Sequence, residues 1–192
     1  MPPATPRTLT NSAVTPRPLV RLAFRLLTSP VWWLVRGVLL DVVLAHIARA
    51  GFAPQPFERA GARIAGIAYR NRIIAPTDRL PSAEAHYLRH VVAVPEWPVG
   101  TTLADYLTSL ETLVQARTSG VVVGRFRSRW HLATVGESGA WQGPQGHPLM
   151  MVEYRLSVSR WMTGFQLQRG LAHFQDPQRS DVRWLRHLQS RL

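Results

Sequence analysis

The order of helical and strand-like patterns after residue 81 constrains the fold of this chain more than any other feature. Ser82 begins a helical segment that contains two histidines, and residues 103–116 carry leucines on one helical face. The period then changes to the alternation typical of strands in four runs separated by turns: residues 121–126, 130–135, 149–156 and 161–167. We therefore expect an α+β fold, in which two helices pack on a four-stranded antiparallel sheet behind an N-terminal helical segment.

The flanking regions differ from this segment in composition. Residues 1–18 are rich in Pro, Thr and Ala without an apolar period, which predicts a disordered lead-in. Residues 19–81 are expected to form a helical N-terminal region followed by a linker, with one helix over about 31–50 that stops at Gly51. Residues 82–192 then form the α+β domain, and residues 179–192 are predicted to be its terminal helix.

The apolar run 31–50 is long enough to cross a bilayer, but Arg36 and Asp41 interrupt it. Each charge at the centre of a spanning helix costs about 2.5–3.5 kcal/mol on insertion scales. We therefore expect this helix to pack on protein or to lie on a surface, with a spanning helix as the weaker alternative.

Composition narrows the chemistry that the chain can perform. It has 192 residues and no cysteine, which excludes disulfides, thiolate zinc sites, iron–sulfur clusters and cysteine nucleophiles. Basic residues number 23 against 11 acidic ones, for a net charge of +12, and every one of the basic residues is arginine. Such a surface attracts polyanions, so nucleic acid or the anionic face of a membrane is the expected partner.

His86 and His90 lie four residues apart, so both project from one helical face. Three interpretations stay open from the sequence alone. The pair could ligate a metal, although no third ligand is evident. The two rings could also be half-buried packing residues, or they could perform acid–base chemistry near neutral pH.

Arginines recur in the strand region. Arg125, Arg127 and Arg129 alternate along the sequence and are expected to share one face of the first strand. Such a row is either a solvated edge that discourages aggregation or a surface for binding phosphates. Arg155 ends the third predicted strand, and Thr163 lies in the fourth.

Several short motifs, taken together, resemble a known family. The sequence holds His86-Tyr-Leu-Arg-His-Val, then Thr101-Thr-Leu-Ala-Asp-Tyr at the head of a helix, Gly124 in the first strand, Val152-Glu-Tyr-Arg, and Trp161-Met-Thr-Gly-Phe. This order resembles the barnase/EndoU/colicin-type ribonuclease toxins, and most of all the RNase A-like C-terminal domain of bacterial contact-dependent inhibition toxins. The resemblance covers about residues 84–167.

The resemblance implies roles for particular residues. His86 or His90 would be the catalytic histidine, and Thr163 would be the strand threonine near the scissile phosphate. The tyrosine that the family has two places after that threonine is Phe165 here. The catalytic arginine of the family has no clear match, so Arg89, Arg125, Arg127 and Arg155 are the candidates for substrate binding.

The resulting hypothesis is a toxin-like endoribonuclease that uses histidine acid–base chemistry and needs neither metal nor cofactor. Its substrate would be RNA, and a toxin of this type would have an immunity or partner protein. The alternative is a basic module that binds nucleic acid or protein without catalysis. A peripheral contact of residues 19–50 with an anionic membrane is compatible with either, and we expect a cytoplasmic or membrane-associated location.

Overall fold

The computed structural model describes residues 32–49, 51–52, 56–57 and 62–189. The predicted lead-in over residues 1–18, and residues 19–31 after it, lie outside this part of the chain. The predicted N-terminal helix is present as α1, Trp32–Arg49. Leu40, Leu44 and Ile47 are buried and join the main hydrophobic core.

The carboxylate of Asp41, within the apolar helix α1, is paired with an arginine. Its Oδ1 accepts a hydrogen bond from Arg186 Nη1 at 3.1 Å, which ties α1 to the far end of the chain. Across the part of the chain that the structure describes, no helix combines the length and the apolar character needed to cross a membrane. The expectation that the helix packs on protein is therefore confirmed for its buried face.

Residues 62–81, the last part of the predicted N-terminal region and linker, fold against the helical segment that follows them. The short strands are β1 (Pro56–Phe57), β2 (Ala68–Tyr69), β3 (Arg72–Ile73) and β4 (Leu80–Pro81); β1 pairs with β4 and β2 with β3. Ile64, Ile74 and Leu80 form a small buried cluster with Ala85 and Leu88 of the next helical segment. Burial of these aliphatic side chains holds the segment in place.

Two helical segments follow. The first begins as α2, Ser82–Tyr87, and continues as a π-helix over Leu88–Ala93. The second is α3, Leu103–Gln115. It begins with a capping box, because Thr102 Oγ1 accepts from Asp105 N at 3.2 Å while the Asp105 carboxylate accepts from Thr102 N at 3.0 Å.

The sheet has five antiparallel strands in the order β8-β7-β6-β5-β9. The strands are β5 (Gly120–Phe126), β6 (Arg129–Glu137), β7 (Leu149–Arg155), β8 (Arg160–Gln166) and β9 (Arg179–Arg186). The first four confirm the predicted strands. The fifth corrects the prediction of a terminal helix: residues 179–186 extend along β5, whose backbone groups would otherwise form an unpaired edge.

The two faces of the sheet pack differently. On one face, Val121, Leu132 and Val152 are buried in the core that includes α3. On the other, a second apolar cluster around Val135 and Met151 is closed by a 3-10 segment, Gly170–Gln175. Beyond that cluster this second face carries charged and polar side chains, and we call it the polar face.

Candidate functional site

The structure brings together two of the predicted catalytic residues. Nδ1 of His86 lies 3.3 Å from Thr163 Oγ1, which joins α2 to the edge strand β8. His86 also makes a hydrogen bond with the backbone of Met162. The His86 and His90 rings lie parallel, with their centroids 5.9 Å apart. The expected approach of a histidine to Thr163 across the helix–sheet junction is therefore present.

His86 lines a small cavity between α2, α3 and β8. The cavity holds about 70 Å³ and is also lined by Phe52, Leu110 and Trp161. Burial lowers the pKa of His86 to about 3, and the charges of His90 and Arg89 act in the same direction. The imidazole is therefore neutral at physiological pH, in a hydrogen-bonded setting that suits a supporting residue.

His90 instead lines a wide groove of about 690 Å³. Its Nδ1 lies 2.8 Å from Glu96 Oε1, and the other Glu96 oxygen accepts a hydrogen bond from Gln166 N at 2.7 Å. Glu96 is only 8% exposed, so its carboxylate is fixed in place. A carboxylate at Nδ1 orients the ring and leaves Nε2 as the nitrogen that can meet a ligand, an arrangement found in catalytic histidines.

Arginine and histidine side chains dominate the lining of this groove. Its charged and titratable residues are His90, His147, His173, Arg63, Arg89 and Arg169, with Glu96 as the one carboxylate among the described residues that line it. Phe165 lies between two of the histidines, with its ring centroid 5.5 Å from that of His90 and 5.5 Å from that of His173. We call this site the histidine groove.

A buried polar network lies beside the groove on the polar face. Arg179 Nη2 lies 2.9 Å from His173 Nε2, and Arg179 Nη1 donates to Glu153 Oε1 at 2.8 Å. Because arginine only donates, His173 accepts at Nε2 and is neutral in this arrangement. Burial lowers the pKa of His173, and the charge of Arg179 lowers it further.

Glu153 is the acidic centre of the network. Burial alone would raise the pKa of Glu153, but hydrogen bonds from His131 and Arg179, together with their charge, leave it below its usual value. His131 Nδ1 lies 3.3 Å from Glu153 Oε1. Glu153 is the register partner of Thr163, so the network adjoins the contact between Thr163 and His86.

The predicted arginine row is not a single surface. Arg127 lies in the turn after β5, with a φ of 48°, and donates to Gln178 Oε1 at 2.9 Å. Arg125 packs over Trp130 at 4.9 Å and pairs with Asp181 at 3.4 Å. Arg129 begins β6 opposite Phe126, so it lies on the face opposite Arg125. The alternation predicted for one strand was wrong because a two-residue turn interrupts it.

The other two arginine candidates lie in separate places. Arg89 lines the histidine groove. Arg155 lies at the end of β7, opposite His131 on β6 and Arg160 on β8. Neither Arg125 nor Arg127 lines the groove.

Sequence reasoning missed several residues of the groove. Glu96 lies in a loop between two prolines, and no pattern there indicates that its carboxylate folds back onto His90. His173 and Arg179 belong to a region that was predicted to lie after the last strand. The excess of arginine over acidic residues was the one available signal. It indicates a positively charged surface but does not show where on the molecule that surface lies.

We compared the chain with known protein families, curated proteins and solved structures. Neither the family models, nor the curated proteins, nor the solved structures that were searched contain a match to this chain.

Proposed function

We propose that the histidine groove binds RNA and cleaves its phosphodiester backbone by histidine acid–base chemistry, as a metal-independent endoribonuclease. One observation carries the proposal: a carboxylate-oriented histidine lies in a groove lined by two further histidines and three arginines. Arginine forks match the geometry of phosphate oxygens, and histidine transfers protons near neutral pH.

In this proposal His90 is the general base. With Nδ1 donating to Glu96, its Nε2 carries the lone pair that takes the proton of a ribose 2′-hydroxyl. The 2′-oxygen then attacks the adjacent phosphorus, which forms the new P–O bond as the bond to the 5′-oxygen breaks. Arg89 and Arg169 lie in the same groove to stabilise the charge that develops on the phosphoryl oxygens.

The leaving 5′-oxygen needs a proton, and His147 is the groove histidine best suited to supply it. His173 is the weaker choice, because Arg179 occupies its Nε2 and keeps the ring neutral. His147 also lines the groove, from the loop that joins β6 to β7, and its backbone N–H donates to Gln166 Oε1 at 2.7 Å. His86 and Thr163 then serve as supporting residues behind His90.

The second candidate function is a nucleic-acid-binding module without catalysis. Two observations favour it: His86 is neutral because it is largely desolvated, and Phe165 offers no hydroxyl where the resembled family has a tyrosine. The arginines of the groove would bind a phosphate backbone equally well without proton transfer.

A cleavage assay on fluorescent RNA in the presence of EDTA tests the proposal. We expect His90→Ala to lose about 10²–10⁴-fold in rate, the usual contribution of one acid or base. The matched control is His187→Ala, which removes an exposed histidine that stacks on Trp184 outside the groove. Cleavage by His90→Ala at the parent rate would contradict the proposal, and salt-sensitive RNA binding without any cleavage would favour the binding module.

A further inference from the structure

A second cationic site lies on the polar face, at the end of the sheet away from the histidine groove. Arg155 on β7 is the register partner of Arg160 on β8 and of His131 on β6. Arg129 precedes His131 by two residues on β6, so it lies on the same face. Three adjacent strands therefore each contribute one arginine to this site, which we call the arginine triad.

The triad has no ion-pair partner among the described residues, and the nearby charge of Glu153 only partly offsets its positive charge. No ion pair there involves Arg129, Arg155 or Arg160, whereas Arg125, Arg179 and Arg186 each pair with a carboxylate. Glu153, the acidic residue nearest along β7, is already bound by Arg179 and His131.

Arg155 is the most constrained member. Its Nε is buried and has no hydrogen-bond partner. Burial lowers the pKa of Arg155, and the charges of Arg129 and Arg160 lower it further, while the charge of Glu153 acts in the opposite direction. Like charges held together beside a desolvated donor destabilise a fold unless an anion completes the site.

We infer that the arginine triad is a phosphate-binding subsite for single-stranded RNA, separate from the histidine groove and occupied by the same RNA chain. The inference rests on the proposed function for the identity of the polyanion. Three guanidinium groups offer paired N–H donors to phosphate oxygens, which a diester backbone presents at regular intervals.

The spacing along β8 determines which RNA reaches both sites. Arg160 and Phe165 are five residues apart, a span of roughly 16 Å at about 3.3 Å per strand residue. A dinucleotide that fills the histidine groove is too short to reach the triad, whereas an oligonucleotide of several residues spans both. The triad therefore favours long substrates over short ones.

The test is the binding of two uncleavable probes, a 2′-O-methyl RNA 12-mer and the matching dinucleotide, to the full chain. The variant Arg155→Gln/Arg160→Gln is compared with Arg49→Gln/Arg79→Gln, which removes the same charge from exposed positions in α1 and in the segment before β4. We expect the triad variant to bind the 12-mer about tenfold or more weakly at about 100 mM salt. The slope of log K against log salt should fall by about 1.4, which is about 0.7 for each lost contact.

The dinucleotide and the control variant sharpen that result. Dinucleotide binding should be unchanged in the triad variant, and the control variant should bind both probes like the parent chain. Equal weakening by the two double variants would mean that net charge alone matters, and it would overturn the inference.

Thermal unfolding supplies a readout that separates a binding role from a structural one. Because the triad holds like charges together, Arg155→Gln/Arg160→Gln should unfold at the same temperature as the parent or at a higher one. Weaker 12-mer binding with a clearly lower melting temperature would indicate a structural role for these arginines and would overturn the inference.

Two further outcomes separate this inference from the proposed function. If the triad variant loses affinity for the 12-mer while the parent chain cleaves no RNA, the result supports the subsite and contradicts the catalytic proposal. If the parent chain cleaves RNA and the triad variant binds the 12-mer like the parent, the result contradicts the subsite and leaves the proposed function supported. Loss of binding to phosphatidylserine vesicles, with RNA binding intact, would assign the triad to a lipid surface and also overturn the inference.

Discussion

The cavity beside His86 and the groove beside His90 are one helical turn apart, and their surroundings are opposite in character. His86 lies against a small space of about 70 Å³ lined largely by aromatic and aliphatic side chains. His90 lies on a space of about 690 Å³ bordered by arginines and by two other histidines. Two identical side chains at helical spacing thus acquire different chemistry, because the elements packed against each of them differ.

The two rings are both half-buried, so they differ in their partners and in the space beside them rather than in exposure alone. A desolvated imidazole stays neutral and contributes packing and hydrogen bonds. An imidazole held at Nδ1 by a carboxylate at the edge of a groove keeps its other nitrogen free of that carboxylate and available to a ligand. The following predictions test this difference, from the largest effect on stability to the smallest.

The largest effect is expected where the small cavity meets the core. Leu110 is 2% exposed and packs directly over Gly164, where an added Cβ would clash with its side chain. Leu110→Ala should lower the free energy of unfolding by about 2–5 kcal/mol, because it removes buried methyl groups and enlarges a cavity that is already present. Urea denaturation measures this loss, and a change below about 1 kcal/mol would show that the cavity wall collapses to fill the space.

An intermediate effect should appear as pH falls. The unfolded chain protonates His86 near pH 6.5, whereas burial keeps the pKa of the native ring at about 3. Above pH 6.5 both states are neutral and the residue contributes no pH dependence. Below it the unfolded state binds the extra proton, so stability falls by about 1.4 kcal/mol per pH unit and levels off below pH 3.

The neutral variant His86→Gln isolates this contribution. Between pH 7 and pH 5 the parent chain should lose about 2 kcal/mol more stability than the variant does. Denaturant midpoints measured across that range give the two slopes. Parallel slopes would mean that His86 is protonated in the native state and that its cavity is open to water.

The smallest effect on stability is expected in the histidine groove. Arg169 is exposed and lines the groove. Arg169→Gln should change the free energy of unfolding by no more than about 0.5 kcal/mol, as surface substitutions usually do. RNA binding should weaken at the same time, with the salt slope reduced by about 0.7 for one lost phosphate contact. A large loss of stability would place Arg169 in the fold rather than in the site.

Periodicity and capping residues were sufficient to predict the central elements of the fold. The spacing of the leucines and Thr102 predicted α3, and alternation between turn residues predicted β5 to β8, because these signals are local. The prediction of a helix at residues 179–192 was wrong because a distant segment of the chain decides the conformation there. The segment from Arg179 to Arg186 satisfies the backbone of β5, a strand about 60 residues earlier in the chain.

The candidate site divides in the same way. The sequence by itself determined that His86 and His90 share a helical face, that Thr163 lies in a strand, and that the surface is rich in arginine. Only the tertiary structure decided that His86 contacts Thr163, that Glu96 orients His90, and that the arginines separate into a groove and a triad. Local spacing determines which face of an element a side chain occupies, whereas its burial, partners and charge environment depend on distant segments that pack beside it.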